Sequence, residues 1–225
     1  PPMGPTSKAR GLVAIPAVVA VAALWTGVIP LKMSEPLMCA AILGWLLAKA
    51  EARADIAWVM VAFAFSAAGD YFLSTKGESA ERFIIGIGLF LLAHVGYILA
   101  AWKNGRLHVP SLIVLLAVFL PYYALLLRPA IAEPPLALAV LGYLLISCLA
   151  LAVAAGMRWV GLDKAFYVSG IALIVFSDTL ISFTEFLGFS AFDWLILPTY
   201  YLAHIAITTG FIRQVTAPQP APTPA

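Results

Sequence analysis

Between Gly11 and Val215 the sequence is a run of apolar blocks, most about 20 residues long, separated by short charged or proline-containing joints. That length is what an α-helix rising ~1.5 Å per residue needs to cross a hydrocarbon core ~30 Å thick. Inside lipid the backbone must satisfy its own N–H and C=O groups, and blocks of this length do so as helices rather than strands. Apolar residues make up 63% of the chain and charged residues 11%. Soluble domains carry roughly 45–50% and about 25%. Lipid is therefore the solvent for most side chains, and the expected fold class is all-α, a polytopic transmembrane helical bundle.

Eight blocks follow one another: Gly11–Ile29, the shorter Glu35–Ala50, Asp55–Leu73, Arg82–Trp102, Val109–Leu127, Pro134–Gly156, Lys164–Phe186 and Asp193–Val215. The joints leave no room for a soluble domain. Residues 11–215 are thus expected to form one eight-helix transmembrane domain, between a segment 1–10 and a proline-rich, disordered tail 216–225. The first block is longer than a signal-peptide core and further spans follow it, which makes it an uncleaved span. An even number of spans puts both termini on one side. That side carries nine Lys and Arg (Lys8, Arg10, Lys49, Arg53, Lys103, Arg106, Arg158, Lys164 and Arg213), against Lys32, Lys76, Arg82 and Arg128 on the other. The excess places both termini in the cytoplasm. The alanine-rich composition suggests a bacterium with a GC-rich genome, and hence the inner (plasma) membrane. A net charge of +2 argues against a nucleic-acid partner or a polybasic membrane tether. Cys39 and Cys148 fall within apolar blocks and read as small buried hydrophobes.

Polar residues inside the spans are few, and their order repeats. Span 3 carries Asp70 and span 4 carries His94 and Tyr97. Span 7 carries Ser177 and Asp178, and span 8 carries Tyr200, Tyr201 and His204. An Asp followed on the next span by Leu-Ala-His occurs twice, with separations of 24 and 26 residues. This suggests that spans 1–4 and 5–8 are two related halves in parallel orientation. At ~1.5 Å per residue both aspartates lie roughly 21–23 Å from the cytoplasmic end, in the outer third of the bilayer. The same arithmetic puts His204 about level with Asp178, and His94 about 12 Å deeper than Asp70.

An ionisable group in the bilayer costs about 2.5–3.5 kcal/mol at the centre, so these groups should face inward onto one another or onto water. A carboxyl group withdrawn from water holds its proton more firmly, and such an acid can deliver it to a substrate. The same residues also have plainer uses. An intramembrane Asp or His can simply join helices by hydrogen bonds, a Tyr can pack, and Ser177 can bond back to its own helix. Glu185 and Asp193 stand at span ends, where solvation is expected. Lys32 and Arg82 border the outer face, where they can anchor helix ends or meet a phosphate. A zinc centre would want about three converging ligands; the chain has three histidines, and His108 falls in a joint. No metal or other cofactor is expected. No span holds a well-buried Lys for a Schiff base. A transporter or proton-coupled carrier with a buried Asp/His site is the alternative to an enzyme. Against it, no span shows Gly/Pro interruptions at matching positions, since Pro121 and Pro198 do not correspond.

The strings SAAGDYFL in span 3, LAHVGY in span 4, FSDTLISF in span 7 and YYLAHIAIT in span 8 resemble the motifs of the YhhN family, whose eukaryotic members are the lysoplasmalogenases. The resemblance covers nearly the whole chain and includes the eight-span layout. It departs from the family pattern entering span 2, where Lys32 and Pro36 are separated by Met-Ser-Glu. The resemblance implies a lysophospholipid substrate met among membrane lipids. The implied reaction is hydrolysis of the lysoplasmalogen vinyl-ether bond to a fatty aldehyde and glycerophosphoethanolamine or glycerophosphocholine. It maps the family's aspartates onto Asp70 and Asp178 as the catalytic pair. A vinyl ether becomes electrophilic once its β-carbon is protonated, and water then attacks the oxocarbenium ion. This needs one protonated acid and one group to handle water, which two carboxyls in different environments supply. His204 and Tyr201 are expected to orient the nearer acid. Lys32, His94, Tyr97, Ser177 and Tyr200 complete the expected substrate-binding set.

Overall fold

The computed structural model describes residues 11–48 and 53–216. Segment 1–10 with Lys8 and Arg10, the joint 49–52 with Lys49, and the tail 217–225 lie outside the described residues, as do the expectations that fall on them. Among the described residues the chain forms helices α1 (Ala14–Thr26), α2 (Ile29–Leu47), α3 (Ala54–Ser74) and α4 (Ala80–Lys103), followed by α5 (Val109–Ala130), α6 (Pro134–Ala155), α7 (Gly161–Leu187) and α8 (Asp193–Thr216). The one extended contact recorded is a bridge between Gly105 and Met157, which ties the α4–α5 joint to the α6–α7 joint. Six helices, α3 to α8, are long and apolar enough to cross a membrane. The two others differ from them: α1 has 13 residues, and Lys32, Glu35 and two prolines dilute the 19 residues of α2.

Seven of the eight expected blocks match a helix to within three residues at each end. The second does not. It was expected from Glu35, but α2 begins at Ile29. Gly27 ends α1 in the left-handed region at φ 67°, and its N–H bonds back to Ala23. Pro30 then sits in the first turn of α2, where its missing N–H costs nothing and its fixed φ suits a helix. Lys32 and Glu35 interrupt the hydropathy of this stretch without interrupting its helicity. The shift carries Glu35 from a span boundary to more than a turn inside a helix, with consequences for the site.

Neighbouring helices pair in a regular order. α1 packs on α2, α2 on α3 and α3 on α4, and likewise α5 on α6, α6 on α7 and α7 on α8. The halves join through α4 against α6 and α8 against α2, the neighbour pattern that two parallel four-helix halves would produce. It is broken at the first helix of each half, since α1 also touches α8 whereas α5 touches α7. Small residues set the close seams, as expected where lipid supplies no hydrophobic drive between helices. On α4, a Cβ at Gly96 would stand 2.8 Å from the carbonyl of Trp58 on α3. Ala62, Ala93 and Ala100 along the same seam are 0–1% exposed.

The main core lies toward the starts of α3 and α7, where Phe63, Tyr97, Tyr167, Ile171, Ile207 and Phe211 interlock. At that end Asn104 donates to Asp55 at 2.8 Å and accepts from the Trp159 indole at 3.1 Å, and Arg53 pairs with Asp55 at 2.6 Å. The opposite end, where α3 and α7 finish and α8 begins, is less tightly filled.

The fifth helix is different in kind. Its first 14 residues, Val109–Tyr122, bury no side chain, and residues Tyr123–Leu127 form a π-helical turn. Pro129 follows it by two residues, and a proline in a helix removes a hydrogen bond and clashes with the carbonyl four residues back, here that of Leu125 inside the turn. Widening to i→i+5 pairing is one way to absorb that, and π-turns are frequent at functional sites. Among the described residues the interruption falls in α5 alone, so it is not an interruption repeated at matching positions of the two halves.

Candidate active site

At the open end of the bundle a cavity of about 330 Å³ is lined by Lys32 of α2, Asp70 of α3, Ser177 and Asp178 of α7, and Tyr200 of α8. Five of the nine residues expected at the site thus meet around one space. Asp70 stands ~24 Å along α3 and Asp178 ~26 Å along α7, counted from Ala54 and Gly161 at ~1.5 Å per residue. The mouth carries Lys76 and Glu185, paired at 2.9 Å, and Asp193, which accepts from the Thr184 hydroxyl. Glu185 and Asp193 are therefore not merely solvated helix ends. Lys32 makes no salt bridge among the described residues.

Each aspartate is held by a tyrosine. The Tyr200 hydroxyl donates to Asp70 Oδ2 at 3.2 Å, and the Tyr143 hydroxyl donates to Asp178 Oδ2 at 2.6 Å. Each tyrosine ring in turn meets a histidine edge to face, Tyr200 with His204 at 4.3 Å and Tyr143 with His94 at 5.1 Å between centroids. The molecule contains two His–Tyr–Asp units, one beside each acid. Their histidines are anchored differently. His94 Nδ1 lies 3.0 Å from the carbonyl oxygen of Phe90 on its own helix. His204 Nδ1 lies 2.8 Å from Glu35 Oε2 on α2, both side chains being 0% exposed. The thiol of Cys39, one turn beyond Glu35, donates to the other carboxylate oxygen at 3.4 Å.

Four expected residues therefore stand behind the cavity rather than on it. His94 and His204 touch the tyrosines, not the aspartates. His204, expected at the level of Asp178, belongs instead to the Asp70 side. Tyr97 pairs with Ser66 at 3.4 Å, and its carbonyl accepts from Tyr167. Tyr201 is 1% exposed, and its hydroxyl has no hydrogen-bond partner among the described residues. The orienting hydroxyl on α8 is that of Tyr200, not Tyr201: adjacent positions on a helix point about 100° apart, and only one faces α3. Ser177 donates to the carbonyl of Ile196 at 3.0 Å and so ties α7 to α8.

Two important residues were not singled out from sequence. Glu35 was placed at a boundary, although its spacing of three from Lys32 put both on one helical face once α2 was extended. Tyr143 gave no signal at all, being one aromatic residue in an apolar block. Gly69 explains the residue before the first acid. A Cβ there would lie 2.8 Å from the ring of Phe90, which lines the cavity, so glycine lets that ring pack flush against α3 beside Asp70.

Two carboxyls around one cavity, each accepting a phenolic hydrogen bond, form an arrangement suited to proton transfer at a bound substrate. A lysine on the same wall is suited to an anionic group. Among the described residues no group of three or more His, Cys, Asp or Glu side chains converges as metal ligands would.

The model of the YhhN family matches residues 31–211. No curated protein and no solved structure matches the chain. The match runs from α2 into α8 and takes in every residue named around the cavity; the chain belongs to the YhhN family.

Proposed function

We propose that this protein is an intramembrane hydrolase that cleaves the vinyl-ether bond of lysoplasmalogens by acid–base chemistry on Asp70 and Asp178. The observation that carries the reading is that the two acids, one from each half of the chain, border a single cavity together with Lys32. One carboxyl group donates its proton to the β-carbon of the vinyl ether. The resulting oxocarbenium ion is stabilised by the other, a carboxylate, which also receives a proton from the attacking water. The hemiacetal collapses to a fatty aldehyde and the glycerophospho alcohol, and the proton balance is restored between the two acids. Tyr200 and Tyr143 hold the carboxyls in orientation, and Lys32 meets the lipid phosphate. Ser177 lines the cavity beside Asp178, and His94, Tyr97, Tyr201 and His204 support these groups from behind.

In this reading all eight helices cross the inner membrane of a bacterium with both termini in the cytoplasm, and α1–α4 and α5–α8 are related halves. The cavity then opens toward the outer leaflet, at the level where a lysolipid places its ether bond. The support is the length of α3–α8 and the paired neighbour pattern. A carrier would use the same acids, and the product separates the two. Purified protein incubated with lysoplasmenylethanolamine should release aldehyde, and with an ester lysolipid should release no fatty acid. Asp70→Asn should abolish aldehyde release while the protein elutes as the folded species; full activity in that variant would refute the assignment.

A further inference from the structure

Two smaller cavities, each about 60 Å³, open off the same site. The nearer lies among α3, α4, α6 and α7, with Phe83, Ile87 and Phe186 on its walls. The farther lies among α5, α6 and α7, against Phe119, Leu127, Leu144 and Val175. The polar cavity and the nearer small one share Leu73, Phe90 and Ile181; the two small ones share Val140, Tyr143 and Ser182. Asp178 borders all three. The three spaces thus adjoin one another in sequence and share walls, a path that is polar and wide at the open end and small and apolar beyond Asp178.

The far end of the path lies under the irregular part of α5. Leu127, in the π-turn, is 1% exposed and faces the path, while Leu125 and Leu126 beside it are 73% and 51% exposed. The wall there is closed by one polar contact, the Tyr122 hydroxyl with Ser182 Oγ at 2.6 Å. The helix that covers this end is thus the one whose first four turns contain no fully buried side chain, only the half-buried Leu112, Leu115, Leu116, Phe119 and Tyr122.

We propose that the two small cavities are the seat of a single aliphatic chain, held between α5 and α7 while the phosphate-bearing end of the same molecule occupies the polar cavity. The inference rests on the lipid-hydrolase reading of the site and adds where the substrate's chain lies and how it enters. One narrow path leaves Asp178, so a one-chain lysolipid is accommodated. The second chain of a diacyl lipid would have to lie among Lys32, Lys76 and Glu185, where its burial gains nothing. The junction at Asp178 places that acid beside the bond joining chain to glycerol. The chain enters from the side, past the weakly held α5, so the substrate need not leave the bilayer.

The test uses the purified full chain and a non-hydrolysable alkyl-ether lysophospholipid with a diazirine at the chain end, photolysed and mapped by mass spectrometry. Label on Leu127, Leu144 or Val175 is expected, and each methylene added within the groove should tighten probe binding about fourfold. Val140→Trp, which fills the junction of the two cavities, should lower labelling of Leu144 and Val175 at least tenfold. Leu144→Ala, which widens the path instead, should retain labelling of Leu127 and Val175. Label confined to outward positions such as Val114 and Val118, equal in all three proteins, would overturn the proposal. Groove labelling in a protein that releases no aldehyde would uphold the chain seat and refute the hydrolase reading. Aldehyde release with no groove label would do the reverse.

Discussion

Glu35 and His204 offer the sharpest test of how the site is held, because neither side chain is exposed to solvent and the pair joins α2 to α8. Replacing either by alanine leaves the other partner stranded, and a lone buried charge is worth about 3–5 kcal/mol of destabilisation. Single variants would therefore overstate the bond itself. The double-mutant cycle of Glu35→Ala and His204→Ala removes that bias. A hydrogen bond to a charged group contributes about 1.5–3 kcal/mol, whereas interhelical hydrogen bonds measured in a membrane protein average about 0.6 kcal/mol. Full burial puts this pair in the upper range. Solvent competition is absent, and the Cys39 thiol at 3.4 Å offers the carboxylate only a weak second donor. The expected coupling is thus about 1.5–3 kcal/mol, read from reversible unfolding of the four proteins in the same detergent. A coupling at or below about 0.6 kcal/mol would refute the claim that Glu35 anchors His204. Glu35→Gln keeps an acceptor without the charge and should recover roughly half of the lost stability.

Other consequences follow from the same geometry. Tyr200→Phe and Tyr143→Phe each remove one hydrogen bond to a carboxyl oxygen, so each should lower the rate of aldehyde release roughly 10- to 100-fold and cost about 1–3 kcal/mol of stability. Equal activity in both variants and the parent would show that the tyrosines do not orient the acids. Gly69→Val forces the Phe90 ring away from α3 and into the cavity. It should cost about 1–3 kcal/mol of stability by overpacking and raise the KM for the lysolipid, and an unchanged KM would contradict the placement of Phe90 on the cavity wall.

Much of the architecture could be read directly because the solvent is lipid. A backbone with no water to bond must be helical, and blocks of about 20 apolar residues have one use, so seven of eight helices coincide with the expected blocks. Asp70 and Asp178 could be singled out for the same reason, since a carboxyl group in such a block stands out against its surroundings, and both line the cavity. That contrast vanishes where the polarity is ordinary. Lys32 and Glu35 lowered the hydropathy at the start of α2 enough to look like a joint, and Tyr143 looked like any aromatic residue. Nor does an apolar block reveal which of its faces meets protein, because lipid and protein interior are equally apolar and no amphipathic stripe marks the packed side. Helix-to-helix register therefore decided what periodicity could not express. It gave Asp70 to Tyr200 rather than Tyr201, paired His204 with Glu35, and led the path beyond Asp178 under α5. The sequence by itself determined a chain of apolar helices, most of them long enough to cross a membrane, with Asp70 and Asp178 set within them; only the packing of α2, α6 and α8 against α3 and α7 determined what those acids face.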